Sequence, residues 1–216
     1  MEINISIPTS LKDITLEQYK KFIKIQEGIE NTTFLQLKII EIFCKVDLKI
    51  AKAMRYNDVE QITSDILNLF SQTPKLVTTF KMGDTEYGFI PDLDDMTLGE
   101  YIDLDTYSGD YDNIEVAMNV LYRPLITKLK NKYIIEDYNP DAKEHMLNMP
   151  MDAVISSMFF FLNLGIELSN TILNSSEVRM NLQQVDLGNF QKNMDGINQF
   201  LPYLKETLRD LKISLN

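Results

Sequence analysis

The chain has 216 residues, and its 32 acidic and 21 basic side chains give a formal net charge of −11. Hydrophobic residues make up 44% and charged residues 25%, which is ordinary for a folded globular protein of one domain or two small ones. The acidic balance argues against direct nucleic-acid binding, which needs clustered Lys and Arg, and against contact with an anionic membrane surface.

The first half of the chain predicts one short strand followed by helices. Polar and apolar residues alternate over Glu2–Ile7, which is the pattern of a strand. Thr15 followed three residues later by Gln18 is a capping-box pattern, and it predicts the start of a helix. Apolar residues at helical spacing predict two more amphipathic helices, over Thr33–Val46 and Asp58–Ser71.

A β-hairpin is predicted after Pro74. Leu76–Met82 and Thr85–Ile90 are the two strands, and Gly83-Asp84 between them is a two-residue turn signal. The rest of the chain is predicted to be helical, over Leu98–Asp103, Asn113–Tyr122, Pro140–Asn148, Pro150–Leu173, Asn189–Phe200 and Pro202–Ile213.

The segment Met96–Leu104 is similar to Ile14–Phe22. Each has Thr at an N-cap position, Gln or Glu three residues later, and Tyr next. Two independent capping boxes explain this similarity, and a duplicated unit is the alternative.

These elements predict a predominantly helical α+β fold, with a multi-helix core, one β-hairpin and a short N-terminal strand. The predicted regions are 1–73 for the N-terminal strand and helices, 74–173 for the hairpin and helical core, and 174–216 for a linker and C-terminal helices. A single domain over all three is the alternative. The apolar run Val154–Ile166 is too short for a bilayer span, so we expect a buried helix. The alternative is a segment that meets a membrane only after a conformational change.

Residues that carry common enzyme chemistry are scarce. Cys44 is the only cysteine and His145 the only histidine, which excludes an intrachain disulfide and disfavours zinc or iron sites. The chain has no Gly-rich phosphate loop and no GxSxG motif. We expect Cys44 to be a buried structural residue and His145 to be solvated. The chain is therefore predicted to be non-enzymatic, with no catalytic residue, cofactor or metal site.

Most of the net charge lies in residues 91–112, here called the acidic strip, which contains eight acidic side chains and no basic one. Residues 1–90 have a net charge of −1, and residues 113–216 have a net charge of −2. The acidic strip and its tyrosines supply all the candidate partner-binding residues, which are Asp92, Asp94, Asp95, Glu100, Tyr101, Asp103, Asp105, Tyr107, Asp110, Tyr111 and Asp112.

Three interpretations of the acidic strip stay open. The first is a solvated loop and helix start, where carboxylates favour the positive end of the helix dipole. The second is a docking surface for a basic partner protein, in which the tyrosines are the anchors. The third is a calcium site beginning at Asp103, but Tyr107 stands where a ligand is needed and Ser108 where glycine is needed.

The sequence from Tyr87 to Asp105 (YGFIPDLDDMTLGEYIDLD), followed by Asn113 and by Leu121-Tyr-Arg-Pro124, resembles a core of small virion or virion-assembly proteins of tailed bacteriophages. The crAss-like gut phages that infect Bacteroidales fit in particular, and the Ile-, Lys- and Asn-rich composition agrees with that source. The resemblance implies a non-enzymatic phage protein made in the bacterial host cytoplasm. It brings no residue with an assigned chemical role.

Three hypotheses for function follow. The first is a virion protein, cargo or structural, held in the portal–tail region by contacts with other phage virion proteins such as portal, tail or ring components, with a homo-oligomer left open. Packaged DNA would repel its acidic surface, so no direct nucleic-acid contact is expected. The second is a tail-assembly chaperone or adaptor that is absent from the mature particle. The third is an enzyme that uses the acidic strip with a divalent metal.

Overall fold

The computed structural model describes residues 5–26, 32–93, 95–130 and 132–174. The helices are α1 (Leu16–Gln26), α2 (Thr32–Phe43), α3 (Leu48–Lys52), α4 (Tyr56–Leu69), α5 (Leu98–Tyr107), α6 (Ile114–Leu121) and α7 (Met151–Asn174). The strands are β1 (Thr79–Met82), β2 (Thr85–Phe89), β3 (Tyr122–Leu129) and β4 (Lys132–Ile135). Short 3₁₀ segments occupy Leu11–Asp13, Tyr111–Asn113 and Pro140–Asn148.

The helix-rich α+β class is confirmed, but the sheet is larger than the sequence predicted. The four strands form one antiparallel sheet in the order β1-β2-β3-β4. The hairpin β1–β2 turns at Gly83-Asp84 as predicted, and Gly83 has a φ of +56° that glycine adopts without strain. The prediction of a single hairpin is incomplete, because β3 and β4 form a second one.

The second hairpin escaped prediction because the sequence between its strands holds no glycine. The chain leaves β3 through Lys130, whose φ of +55° is rare for a residue other than glycine. Tyr122 was also assigned to the end of the preceding helix, whereas the structure ends α6 at Leu121 and begins β3 at Tyr122.

The predicted N-terminal strand is not confirmed. Ile5, Ser6 and Ile7 have no regular structure, and residues 1–4 lie outside the described part of the chain. A strand needs a partner for its backbone hydrogen bonds, and within the described ranges no strand pairs with residues 5–7. The chain instead forms an isolated bridge between Thr15 and Pro150.

The remaining helix predictions differ in outcome. Helices α1, α2, α4, α5, α6 and α7 lie where helices were predicted. Helix α3 was not predicted, and Pro140–Asn148 is a 3₁₀ segment. Asn139 caps that segment, because its side chain accepts from Asp141 N. The two predicted C-terminal helices, over 189–200 and 202–213, lie outside the described residues.

One hydrophobic core joins the first two predicted regions. Leu16 N donates to Met149 O at 2.9 Å, and Met151 N donates to Ile14 O at 2.9 Å, so the start of α1 is tied to the start of α7. The buried Tyr122 donates its hydroxyl to Val77 O at 2.8 Å and packs its ring against the core. The boundary at 73/74 stays a prediction, and nearly all of 174–216 lies outside the described residues.

Helix α7 begins as the buried helix that the sequence predicted. Met151, Asp152, Ala153 and Val154 are all buried. In the part of the chain that the structure describes, no helix is both long and apolar enough to span a bilayer.

Glycine is required at position 88, because the backbone of β2 passes close to side chains of β3 and β4 there. A Cβ at this position would lie 2.5 Å from Leu125 Cδ2 and 2.8 Å from Tyr133 Cε2. Tyr133 cannot swing away freely, because its hydroxyl donates to Phe89 O at 2.7 Å. We therefore expect Gly88→Ala to lower the free energy of unfolding by about 1–3 kcal/mol in chemical denaturation.

Gly99→Ala is the matched control, because Gly99 lies in helix α5 and a Cβ there would meet nothing closer than 4.0 Å. It should raise the free energy of unfolding by up to about 1 kcal/mol through helix propensity. Equal stability of the two variants would contradict the packing around Gly88.

A candidate docking surface on helix α5

Helix α5 begins with the capping box that its sequence predicted. Thr97 is the N-cap, and its Oγ1 accepts from Glu100 N at 3.3 Å. Glu100 Oε2 accepts from Thr97 N at 2.6 Å in return. The same reciprocal pair forms at α1, where Thr15 N donates to Gln18 Oε1 at 3.0 Å. Both predicted helix starts are thus confirmed.

Glu100 turns inward and forms a buried ion pair. Its Oε1 lies 2.8 Å from Arg123 Nη1 on strand β3. The two residues are 3% and 9% exposed, so this pair is largely shielded from water. Arg123 Nη1 also donates to Glu136 O at 3.3 Å. Since Glu100 also serves the cap, both of its carboxylate oxygens are engaged inside the protein.

A second hydrogen bond fixes the same side of the helix. Tyr138 donates its hydroxyl to Asp103 Oδ2 at 2.6 Å. Burial, and then the neighbouring Asp103 carboxylate, raise the pKa of Tyr138 well above its usual range. The tyrosine therefore remains a hydrogen-bond donor at neutral pH, and Asp103 is held against the chain that follows β4.

The opposite side of α5 is apolar and faces solvent. Leu98 is 74% exposed, Tyr101 is 43% and Ile102 is 51%. Asp105, also exposed, continues this line one turn further. These four residues, spaced i, i+3, i+4 and i+7, are here called the outward stripe. Helix α5 thus buries a glutamate and exposes apolar side chains, which reverses the usual arrangement.

The other predicted carboxylates serve different purposes. Asp92 and Asp95 are exposed in the loop before α5, and Asp94 lies outside the described residues. Asp110 Oδ1 accepts from Asp112 N at 3.0 Å, which stabilises the turn after α5. Asp112 forms an exposed ion pair with Lys24 at 3.5 Å.

The tyrosines of the acidic strip also divide. Tyr107 is half-buried and packs against the core. Tyr111 is half-buried too, and its ring meets that of Tyr19 edge-on at 6.0 Å. Of the three tyrosines, Tyr101 is exposed. Four of the predicted partner-binding residues therefore lie on the outward side of α5 or in the loop before it: Asp92, Asp95, Tyr101 and Asp105.

Sequence reasoning missed the inward partners of α5, Arg123 and Tyr138. Arg123 carries a usable signal, because it is a lone cation within a run of otherwise uncharged residues from Val116 to Thr127. Such a cation is rarely buried unless it is paired. The pattern does not say which of the eight carboxylates is its partner. The exposed apolar residues Leu98 and Ile102 were missed as well, since a helix is assumed to bury them.

The remaining candidate chemistry is not assembled at α5. Asp103 to Tyr107 are helical, which differs from the loop that an EF-hand calcium site requires. Within the described ranges, no group of three or more His, Cys, Asp or Glu side chains is arranged to hold a metal ion.

Cys44 is buried as expected, and burial raises its pKa to about 11, so it is a protonated thiol. His145 is exposed, also as expected.

The two segments that carry the phage resemblance lie side by side around this site. Strand β2 pairs with β3, with Tyr87 opposite Pro124 and Gly88 opposite Arg123. Ile90 N donates to Leu121 O at 2.7 Å, which continues this contact toward α6. Arg123, which pairs with Glu100 of α5, therefore lies within the segments of the resemblance, whereas Tyr138 lies outside them.

Comparison of the chain with protein-family models, curated proteins and solved structures gives no match.

The inward side of α5 can be tested with Glu100→Gln. The amide oxygen can still accept from Thr97 N, but the charge that balances the buried Arg123 is lost. We expect the free energy of unfolding to fall by about 3–5 kcal/mol, because removal of one partner leaves an uncompensated buried charge. Chemical denaturation monitored by circular dichroism measures this change.

Asp105→Asn is the control on the same helix, since it removes an exposed carboxylate with no ion pair to any described residue. It should change the free energy of unfolding by less than about 0.5 kcal/mol. A similar, small effect for Glu100→Gln would contradict the proposed importance of the buried pair.

Proposed function

We propose that this protein is a non-enzymatic virion component of a crAss-like bacteriophage, a cargo or structural protein held in the portal–tail region by protein–protein contacts. The observation that carries this proposal is the outward stripe of α5. Leu98 and Ile102 project into solvent from a helix whose glutamate is buried, next to the exposed carboxylates Asp95 and Asp105.

An outward stripe of this kind suits a docking surface. Covering a large apolar side chain stabilises a complex by about 1.5–3 kcal/mol, and Leu98 and Ile102 offer that gain without unfolding any part of the protein. Asp95 and Asp105 beside them add charge complementarity to a basic partner, which fixes register and speeds encounter. The helix is held rigid by Glu100 and Asp103, so little ordering entropy opposes docking.

The phage setting is supported by the sequence resemblance. The resembling segments, Tyr87–Asp105 and Asn113–Pro124, cover α5 as far as Asp105 and the paired parts of β2 and β3, from Tyr87 to Phe89 and from Tyr122 to Pro124. Other phage virion proteins, such as portal, tail or ring components, are the proposed partners, together with further copies of this chain in a homo-oligomer. The protein is made in the host cytoplasm before it enters the particle.

Particle incorporation is the test. Mass spectrometry of purified particles should find the protein at stoichiometric level, and Ile102→Arg, which places a cation in the outward stripe, should lower that level at least about tenfold. Tyr56→Arg is the matched control, because Tyr56 is 61% exposed and belongs to a different helix, α4. It should leave incorporation unchanged.

The proposal fails if the protein is abundant in infected cells but absent from particles, which is the outcome expected of a tail-assembly chaperone or adaptor. Equal incorporation of the Ile102→Arg and Tyr56→Arg variants would contradict the role of the outward stripe.

A further inference from the structure

The end of hairpin β3–β4 is a second exposed apolar surface. Ile126 is 65% exposed, Leu129 is 77% and Ile134 is 59%. Thr127 is paired with Ile134, so these two side chains lie on one face of the hairpin. Leu129 comes two residues after Thr127 in the same strand, so it lies on that face too. Ile126 lies at the irregularity between Leu125 and Thr127. This set of exposed residues, with the lysines that flank it, is here called the hairpin tip.

The hairpin tip is basic, in contrast to the rest of the chain. Residues 122–135 carry four basic side chains and no acidic one. Arg123 is engaged with Glu100, and Lys128 forms an ion pair with Glu86. Lys130 and Lys132 are exposed, and in the described part of the molecule no ion pair holds either of them.

The hairpin tip and the outward stripe are complementary. Each combines exposed aliphatic side chains with charge of one sign. The hairpin tip has Lys130 and Lys132. The aliphatic side chains of α5 share their helix with Asp105, and Asp95 lies in the loop that precedes it. An interface of this kind buries the apolar side chains at its centre and places the charges at its rim.

Both surfaces have fixed positions within one copy. The buried Glu100–Arg123 pair anchors α5, and Tyr133 ties the hairpin to Phe89 O. Between described residues, no hydrogen bond or ion pair links Lys130 or Lys132 to α5. Leu98, Ile102, Leu129 and Ile134 are all exposed within one copy, so neither surface covers the other there, and a contact between them requires two molecules.

We propose that the hairpin tip of one copy docks on the outward stripe of a second copy. This inference rests on the proposed function, because it names the partner of the outward stripe. The two contacting surfaces are different, so every copy offers both, and head-to-tail association builds a ring if it closes and a chain if it does not.

The net charge of −11 does not prevent this association at physiological salt. The Debye length at that ionic strength is about 8 Å, so repulsion between the bodies of two copies is largely screened. Attraction between Lys130 or Lys132 and Asp95 or Asp105 acts at contact distance and is screened less.

The test uses two variants of the full chain, each with one surface blocked. Ile102→Lys places a cation in the outward stripe, and Leu129→Ser replaces an apolar side chain of the hairpin tip with an uncharged polar one, so the two altered surfaces do not attract each other. Both positions are exposed, so the fold should survive, which thermal unfolding of each variant checks. Sedimentation equilibrium from micromolar to near-millimolar protein measures the assembly state. Tyr56→Lys is the control for a cation at an exposed aromatic position on α4.

The wild type and Tyr56→Lys should form assemblies larger than dimers, and each blocked variant alone should stay monomeric. Mixing the two blocked variants should give dimers and nothing larger, because only one intact outward stripe and one intact hairpin tip can meet. The wild-type dissociation constant should also rise at least about tenfold from physiological to high salt, where the attraction at contact is screened as well.

A wild type that stays monomeric throughout, or blocked variants that remain monomeric when mixed while the wild type assembles, would overturn this inference. Loss of Ile102→Arg from particles together with a monomeric wild type would do the same while leaving the proposed function intact. Assembly of the purified wild type through the two surfaces supports the inference even if the protein is absent from particles, which would overturn the proposed function alone.

Discussion

The buried pair of Glu100 and Arg123 determines how helix α5 sits on the protein. One oxygen of Glu100 binds Arg123 on strand β3 and the other closes the capping box at Thr97. Turning the helix about its axis would move Glu100 toward solvent and leave Arg123 buried without a counter-charge, at a cost of several kcal/mol. The turn would bury Leu98 and Ile102, at about 1.5–3 kcal/mol each, but it would also take Leu104 and Tyr107 away from the core, so the loss of the buried ion pair is not offset. The apolar side chains of α5 therefore face solvent.

The orientation of α5 divides the carboxylates of the chain into buried and exposed groups, which the composition does not distinguish. The acidic strip contains both structural carboxylates, such as Glu100 and Asp103, and outward ones, such as Asp95 and Asp105. The basic residues of hairpin β3–β4 are hidden within the nearly neutral charge of 113–216. A protein with a net charge of −11 thus has one exposed apolar surface with acidic residues and another with basic residues. Arg123 on β3 anchors the first through Glu100, and the second is the end of hairpin β3–β4 in the same sheet.

The sequence predicts those features that depend on neighbouring residues. Both capping boxes and the Gly83-Asp84 turn are confirmed, because a few adjacent side chains decide each of them. The second hairpin was missed because Lys130 adopts a left-handed conformation that lysine rarely takes. The inward partners of α5 were missed because Arg123 follows Glu100 by more than twenty residues, and no local pattern reports such a pairing.

The rate of thiol labelling at two positions of α5 tests the orientation of the helix most directly. In separate variants, Ile102→Cys is on the outward stripe and Leu104→Cys is on the half-buried side. Cys44 is buried with a raised pKa and contributes little labelling. At low protein concentration, the thiol at 102 should react with a maleimide at least about tenfold faster than the thiol at 104. Equal rates, or faster reaction at 104, would contradict the inward position of Glu100 and the docking surface that depends on it.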